Sequence, residues 1–94
     1  SEATAILDGV AQTLQNYPDI RITIEAHTDN LGEATENLQL SKRRALSVAR
    51  YLVDQGISGA RMKPQAFGES KPRTTNATAQ GRAANRRVEF SILR

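Results

Sequence analysis

Apolar residues in the first sixteen positions recur at every third or fourth place: Ile6, Leu7, Val10, Ala11 and Leu14. They form one stripe and predict a helix from about Glu2 to Asn16, which Pro18 ends. The period then changes to two. Ile20, Ile22, Ile24 and Ala26 alternate with Arg21, Thr23, Glu25 and His27, the pattern of a strand with one face on the core and the other polar. On that reading His27 stands on the polar side and hydrogen-bonds the adjacent turn.

Asp29, Asn30 and Gly32 form a turn cluster, and Glu33 and Glu36 follow where a helix N-terminus favours negative charge. The helix should run to about Gln55, with Gly56 as its stop. At about 100° per residue, Leu38, Ala45, Ala49 and Leu52 fall near one line, flanked by Val48 and Val53, and this stripe should face the sheet. Asn37, Ser41 and Arg44 lie on a bordering polar arc, positioned to rim a pocket where the helix leaves the strand.

Met62 to Phe67 reads as a further strand, confined by Pro64 to an edge or an irregular position. Gly68 to Ala79 is a surface loop rich in Gly, Pro, Ser, Thr and Asn, followed by a short helical turn through Gln80 to Asn85. Val88, Phe90 and Ile92 alternate with Arg87, Glu89 and Ser91 in a closing strand. Three strands interleaved with two good helices predict a two-layer α/β sandwich with helices on one face of a small mixed sheet.

Length agrees with a single domain over residues 1–94, since a chain of this size buries a little over roughly 60% of its surface, enough for one modest core. There is no cysteine, and a lone His27 argues against a protein-only zinc site, so neither metal nor cofactor is expected. No apolar run approaches the roughly 20 residues of a membrane span, and SEATAILDGV lacks a signal-peptide pattern. An export signal and any anchor are expected to lie in a longer precursor. The net charge of +3 conceals a division: residues 1–40 carry one base and seven acids, residues 41–94 twelve bases and three acids. The second half therefore suits an anionic partner, unless the two halves neutralise each other in the fold.

Asp29 and Arg44 are an acid at a strand end and a guanidinium on the next helix. Set on opposite walls they match the ammonium and carboxylate of an amino-acid group, with Arg the better carboxylate partner because its fork bonds both oxygens. Asn37 and Thr28 could add neutral hydrogen bonds. Spacing alone leaves open that Asp29 and Arg44 bond only each other or water. His27, Asp29 and Ser41 do not make a hydrolase, because no serine has the sharp glycine-flanked turn a nucleophile needs. The chain is read as a binding module and not an enzyme. Nucleic acid is the runner-up partner on charge alone: aromatics for base stacking are few and no RNA- or DNA-binding fingerprint is present.

Four motifs in order, HTDNLG, NLQLSKRRALSVARYL, FGESKP and NATAQGRAANRRVEF, resemble the peptidoglycan-binding domain of OmpA-like outer-membrane proteins. Peptidoglycan-associated lipoproteins and flagellar stator proteins carry similar domains. The resemblance implies a periplasmic, non-catalytic anchor on the diaminopimelate of the cell-wall stem peptide, joined to the outer membrane more readily than the inner through a region outside this chain. It places the family's binding acid on Asp29 and its binding arginine on Arg44, matches Asn37 to the motif asparagine, and puts Thr28, Asn85 and Arg86 at positions that line or brace the pocket. Two departures stand out. Ala26 replaces the usual glycine before HTD, and the family's first strand, ahead of the opening helix, does not appear in these 94 residues; either the sequence is shortened at its start or another segment, a second copy of the chain being one candidate, completes the edge, since an open edge invites pairing.

Overall fold

The computed structural model describes residues 2–93, with side chains from residue 4. Helix α1 (Glu2–Asn16) leads into strand β1 (Arg21–His27), helix α2 (Ala34–Asp54), strand β2 (Met62–Gly68), helix α3 (Ala79–Asn85) and strand β3 (Arg87–Leu93); a 3-10 turn, Gly59–Arg61, precedes β2. The sheet order is β2-β1-β3, with β2 parallel and β3 antiparallel to the central strand. This is the expected two-layer mixed α/β arrangement. The segment at Gln80 is a true seven-residue helix, α3, opened by Thr78, whose hydroxyl accepts from the Gly81 N–H.

Register explains which residues form the core. Ile22 pairs with Met62 and Ile92, Ile24 with Pro64 and Phe90, and Ala26 with Ala66 and Val88, so the apolar positions of all three strands share the face beneath the helices. Ala11 and Leu14 of α1, Ala45 and Leu52 of α2, and Ile57 close over them. Pro64 is tolerated because β2 is an edge strand. The outer edge of β3 is likewise unpaired among the described residues.

Arg61, which the sequence pattern did not single out, ties this core at its far end. Its guanidinium donates to the carbonyls of Leu14 and Tyr17, both at 2.8 Å, and of Ile20 at 3.0 Å. A cation there satisfies carbonyls at the C-terminal end of α1, where the helix dipole favours positive charge.

Two expectations need correction. Leu38 and Val53 are 45% and 47% exposed, whereas the buried positions of α2 are Asn37, Ser41, Ala45 and Leu52. The buried line has rotated toward the polar arc because Asn37 and Ser41 have backbone groups of neighbouring loops to satisfy. His27, in turn, is buried, and neither ring nitrogen finds a hydrogen-bond partner. The register of β1 and β2 shifts between Ala26 and His27, which leaves Phe67 as an extra residue. Phe67 stacks on the His27 ring with centroids 5.2 Å apart, and Lys71 Nζ lies 4.1 Å from the Phe67 centroid. A polar strand face was thus converted locally into a covered one.

Candidate functional site

The site grows from the end of β1. Past the bulge, the Thr28 N–H donates to the Gly68 carbonyl at 2.8 Å and keeps β1 beside β2 for one more residue. The Thr28 hydroxyl donates to the Asp29 carbonyl at 2.8 Å, and Asp29 Oδ1 accepts from the Leu31 N–H at 3.0 Å. This aspartate-anchored turn, followed by Gly32 at φ +83°, reverses the chain into α2.

Asn37 fixes the turn from the helix side. Its Nδ2 donates to the carbonyls of Leu31 at 2.9 Å and Asp29 at 3.3 Å, and reaches Glu69 Oε1 at 3.4 Å. One turn later, the fully buried Ser41 donates to the Leu38 carbonyl and accepts from the Gly68 N–H at 2.9 Å. Gly68 needs to be glycine: its φ is +55°, and a Cβ would stand 3.1 Å from both the backbone N and Cα of Leu38. Asn37 and Ser41 therefore clamp the two loops that carry Asp29 and Glu69.

A second clamp serves the other wall. The Asn85 side chain is fully buried, with Oδ1 accepting from the Arg73 and Thr74 N–H groups at 2.8 and 3.0 Å. Its Nδ2 donates to the Thr74 carbonyl at 3.0 Å and to Asn76 Oδ1 at 2.8 Å. All four contacts go to the loop before α3, so Asn85 braces that loop and presents its successor, Arg86. Close packing continues at Gly81, where a Cβ would collide with the Thr75 carbonyl.

Arg86 Nη1 donates to Asp29 Oδ2 at 2.7 Å, joining the end of α3 to the end of β1. The Leu31 N–H and then the Arg86 guanidinium hold the Asp29 carboxyl below the usual carboxylate range, against the opposing effect of burial. Asp29 is thus a buried anion at neutral pH. Arg44, by contrast, is exposed on α2 and has no hydrogen bond or ion pair among the described residues. The simple salt bridge between Asp29 and Arg44 is not formed; Asp29 is matched to Arg86.

Arg44, Arg86, Arg87 and Val88 line an open cavity of about 270 Å³. Arg87 is already engaged there, donating to Glu89 Oε1 at 2.8 Å and to the carbonyls of Lys71 and Asn85. The arrangement offers a cationic cavity with one unengaged guanidinium and, behind Arg86, a buried carboxylate. Of the residues singled out in the sequence, Asp29, Asn37 and Thr28 meet at one turn, Arg44 and Arg86 share the cavity, and Asn85 acts from beneath. Ser41, placed from sequence on the arc with Asn37 and Arg44, joins the site as a clamp, whereas Gly68 and Glu69 were not assigned to it from sequence. The signal for Ser41 was its place four residues after Asn37 and four before Ala45, a line along one helix face.

The chain matches the OmpA family over residues 1–86. It is 41% identical over 86 residues to the probable lipoprotein YiaD of Escherichia coli, an alignment covering 92% of this chain and 39% of that protein. It is 45% identical over 87 residues to the peptidoglycan-binding protein ArfA of Mycobacterium tuberculosis, covering 93% of this chain and 27% of the relative. Among solved structures, the peptidoglycan-associated lipoprotein from Burkholderia pseudomallei superposes with a TM-score of 0.93 at 31% identity, covering 99% of this chain and 79% of that one. The chain thus spans well under half the length of these two curated relatives. The matched motifs, the strand order and the polar turn that opens α2 lead to one conclusion: this chain belongs to the OmpA family.

Proposed function

We propose that this domain binds cell-wall peptidoglycan without catalysis and anchors a membrane-attached protein to it, by gripping the side-chain end of diaminopimelate in the stem peptide. Asp29 takes the ligand's ammonium and Arg44 its carboxylate, while Thr28 and Asn37 hold the turn and Asn85 and Arg86 brace and line the far wall. The observation that carries the reading is the unengaged Arg44 guanidinium in one cavity with Arg86, whose other side rests on the buried Asp29 anion. A relative named for peptidoglycan binding and the fold of a peptidoglycan-associated lipoprotein support it. The domain works in the periplasm, and its attachment to the envelope, at the outer membrane in preference to the inner, runs through sequence outside these 94 residues.

Co-sedimentation with purified sacculi tests this. Each charge-assisted bond contributes roughly 1.5–3 kcal/mol, so Asp29→Ala and Arg44→Ala should each weaken binding by about tenfold or more. Parent-like sedimentation of both variants would show the site to be elsewhere.

A further inference from the structure

The ion pair between Asp29 and Arg86 stands where the ligand's ammonium has to go, and its geometry bears on specificity. Asp29 is a buried acceptor: Oδ1 is held by the Leu31 N–H and Oδ2 by Arg86, leaving the side chain 10% exposed. An incoming ammonium must join a carboxylate that already holds a guanidinium, or displace that guanidinium, and two cations at one carboxylate repel. Arg86 can be displaced. Its side chain is 46% exposed, and Asp29 is the only acceptor its guanidinium has among the described residues.

The displaced guanidinium would remain in the cavity with Arg44 and Arg87. Arg87 is already matched by Glu89, and Arg44 has no anion. A ligand bearing only an ammonium therefore breaks one ion pair, makes one, and leaves Arg86 beside Arg44 with no anion between them. If the same ligand centre also bears a carboxylate, that group enters the cavity and gives both arginines a partner. The ledger of ion pairs then improves instead of breaking even.

We propose that Arg86 is a specificity-determining counter-ion: it occupies Asp29 in the empty site and moves to the ligand's carboxylate on binding, so that the site admits a zwitterionic centre and excludes a lone ammonium. This rests on the assignment of Asp29 and Arg44 to the ligand. It adds that Arg86 penalises an L-lysine stem peptide, whose side chain ends in an ammonium without the neighbouring carboxylate.

The test is calorimetric titration with two synthetic tripeptides, L-Ala-γ-D-Glu-meso-diaminopimelate and its L-lysine counterpart, against the parent, Arg86→Ala, Arg86→Gln and Asp29→Ala. The parent should prefer the diaminopimelate peptide by at least about tenfold, one decade being about 1.4 kcal/mol. Both Arg86 variants should bind the lysine peptide at least about threefold more tightly than the parent does, collapsing the preference; Asp29→Ala should lose both peptides. The inference is overturned if Asp29→Ala loses binding while the Arg86 variants keep the parental preference or weaken both peptides alike, which is what a bracing role gives. If the parent binds neither peptide, or Asp29→Ala binds both normally, the site assignment itself fails and the inference falls with it. Should Arg86→Ala melt before the titration temperature, Arg86→Gln, which keeps the Cβ–Cδ stem and a neutral donor while removing the charge, decides.

Discussion

Asn85→Ala removes a fully buried side chain whose hydrogen bonds all go to the neighbouring loop, and should be among the most damaging single changes in the domain. The amide accepts from two backbone N–H groups, those of Arg73 and Thr74, and donates to the Thr74 carbonyl and to Asn76 Oδ1. At a net value of about 1 kcal/mol per hydrogen bond, losing all four would cost about 4 kcal/mol. Arg73 and Thr74 are themselves exposed, so water recovers part of this, and the expected loss is about 2–3 kcal/mol. At roughly 4–8 °C per kcal/mol for a domain of this size, the melting midpoint should fall by about 10–20 °C. Asn76→Ala, which removes one of the four bonds, should cost about 1 kcal/mol and serves as the graded control. Urea unfolding followed by far-UV circular dichroism measures both. A loss below about 1 kcal/mol for Asn85→Ala, or one equal to that of Asn76→Ala, would refute the view that this amide holds the loop, and with it the explanation of how Arg86 is presented.

Other perturbations separate the remaining parts of the structure. Gly68→Ala places a Cβ 3.1 Å from the Leu38 backbone at a φ of +55°, and should destabilise by about 2 kcal/mol in urea unfolding while also weakening sacculus binding, since Gly68 bonds both Thr28 and Ser41. Arg61→Ala leaves the carbonyls of Leu14 and Tyr17 at the end of α1 and of Ile20 ahead of β1 without their donor and should cost about 1.5–3 kcal/mol by the same measurement, leaving sacculus binding by the folded protein unchanged. Burial, and then the nearby Arg87 charge, lower the His27 pKa from 6.5, against the opposing pull of Glu89 and Glu25. The unfolded chain therefore takes up this proton first as pH falls: the His27 contribution is intact above about pH 6.5 and declines below it until the folded His27 itself titrates. Unfolding curves should show stability falling from pH 7 toward pH 5, and His27→Phe, which keeps the stack on Phe67, should flatten that slope; an equal slope in the variant would assign it to another group.

The periodicities of the sequence determined the element order and the layer arrangement, because a stripe at helical spacing and an alternation of two each leave a chain only one way to bury its apolar face. The turn at Asp29, the edge position of the Pro64 strand and the gathering of Asp29, Thr28 and Asn37 were equally legible, being consequences of local chemistry within a few residues. What lay beyond local pattern was decided by packing. Val53 and Leu38 are apolar and fit the helical stripe, but the face of α2 that meets the sheet is set by where Asn37 and Ser41 find partners, which include the Glu69 carboxylate and the Gly68 N–H some 30 residues away. His27 alternates correctly as a polar-face residue, yet a one-residue bulge in the neighbouring strand folds Phe67 over it. The sequence likewise offered Asp29 and Arg44 as opposite charges fifteen residues apart, one at a strand end and one on the next helix. Only the tertiary structure brought Arg86, 57 residues from Asp29, onto that carboxylate and left Arg44 unengaged. An ion pair between distant segments depends on register and loop bracing rather than on spacing, and those are properties of the folded chain.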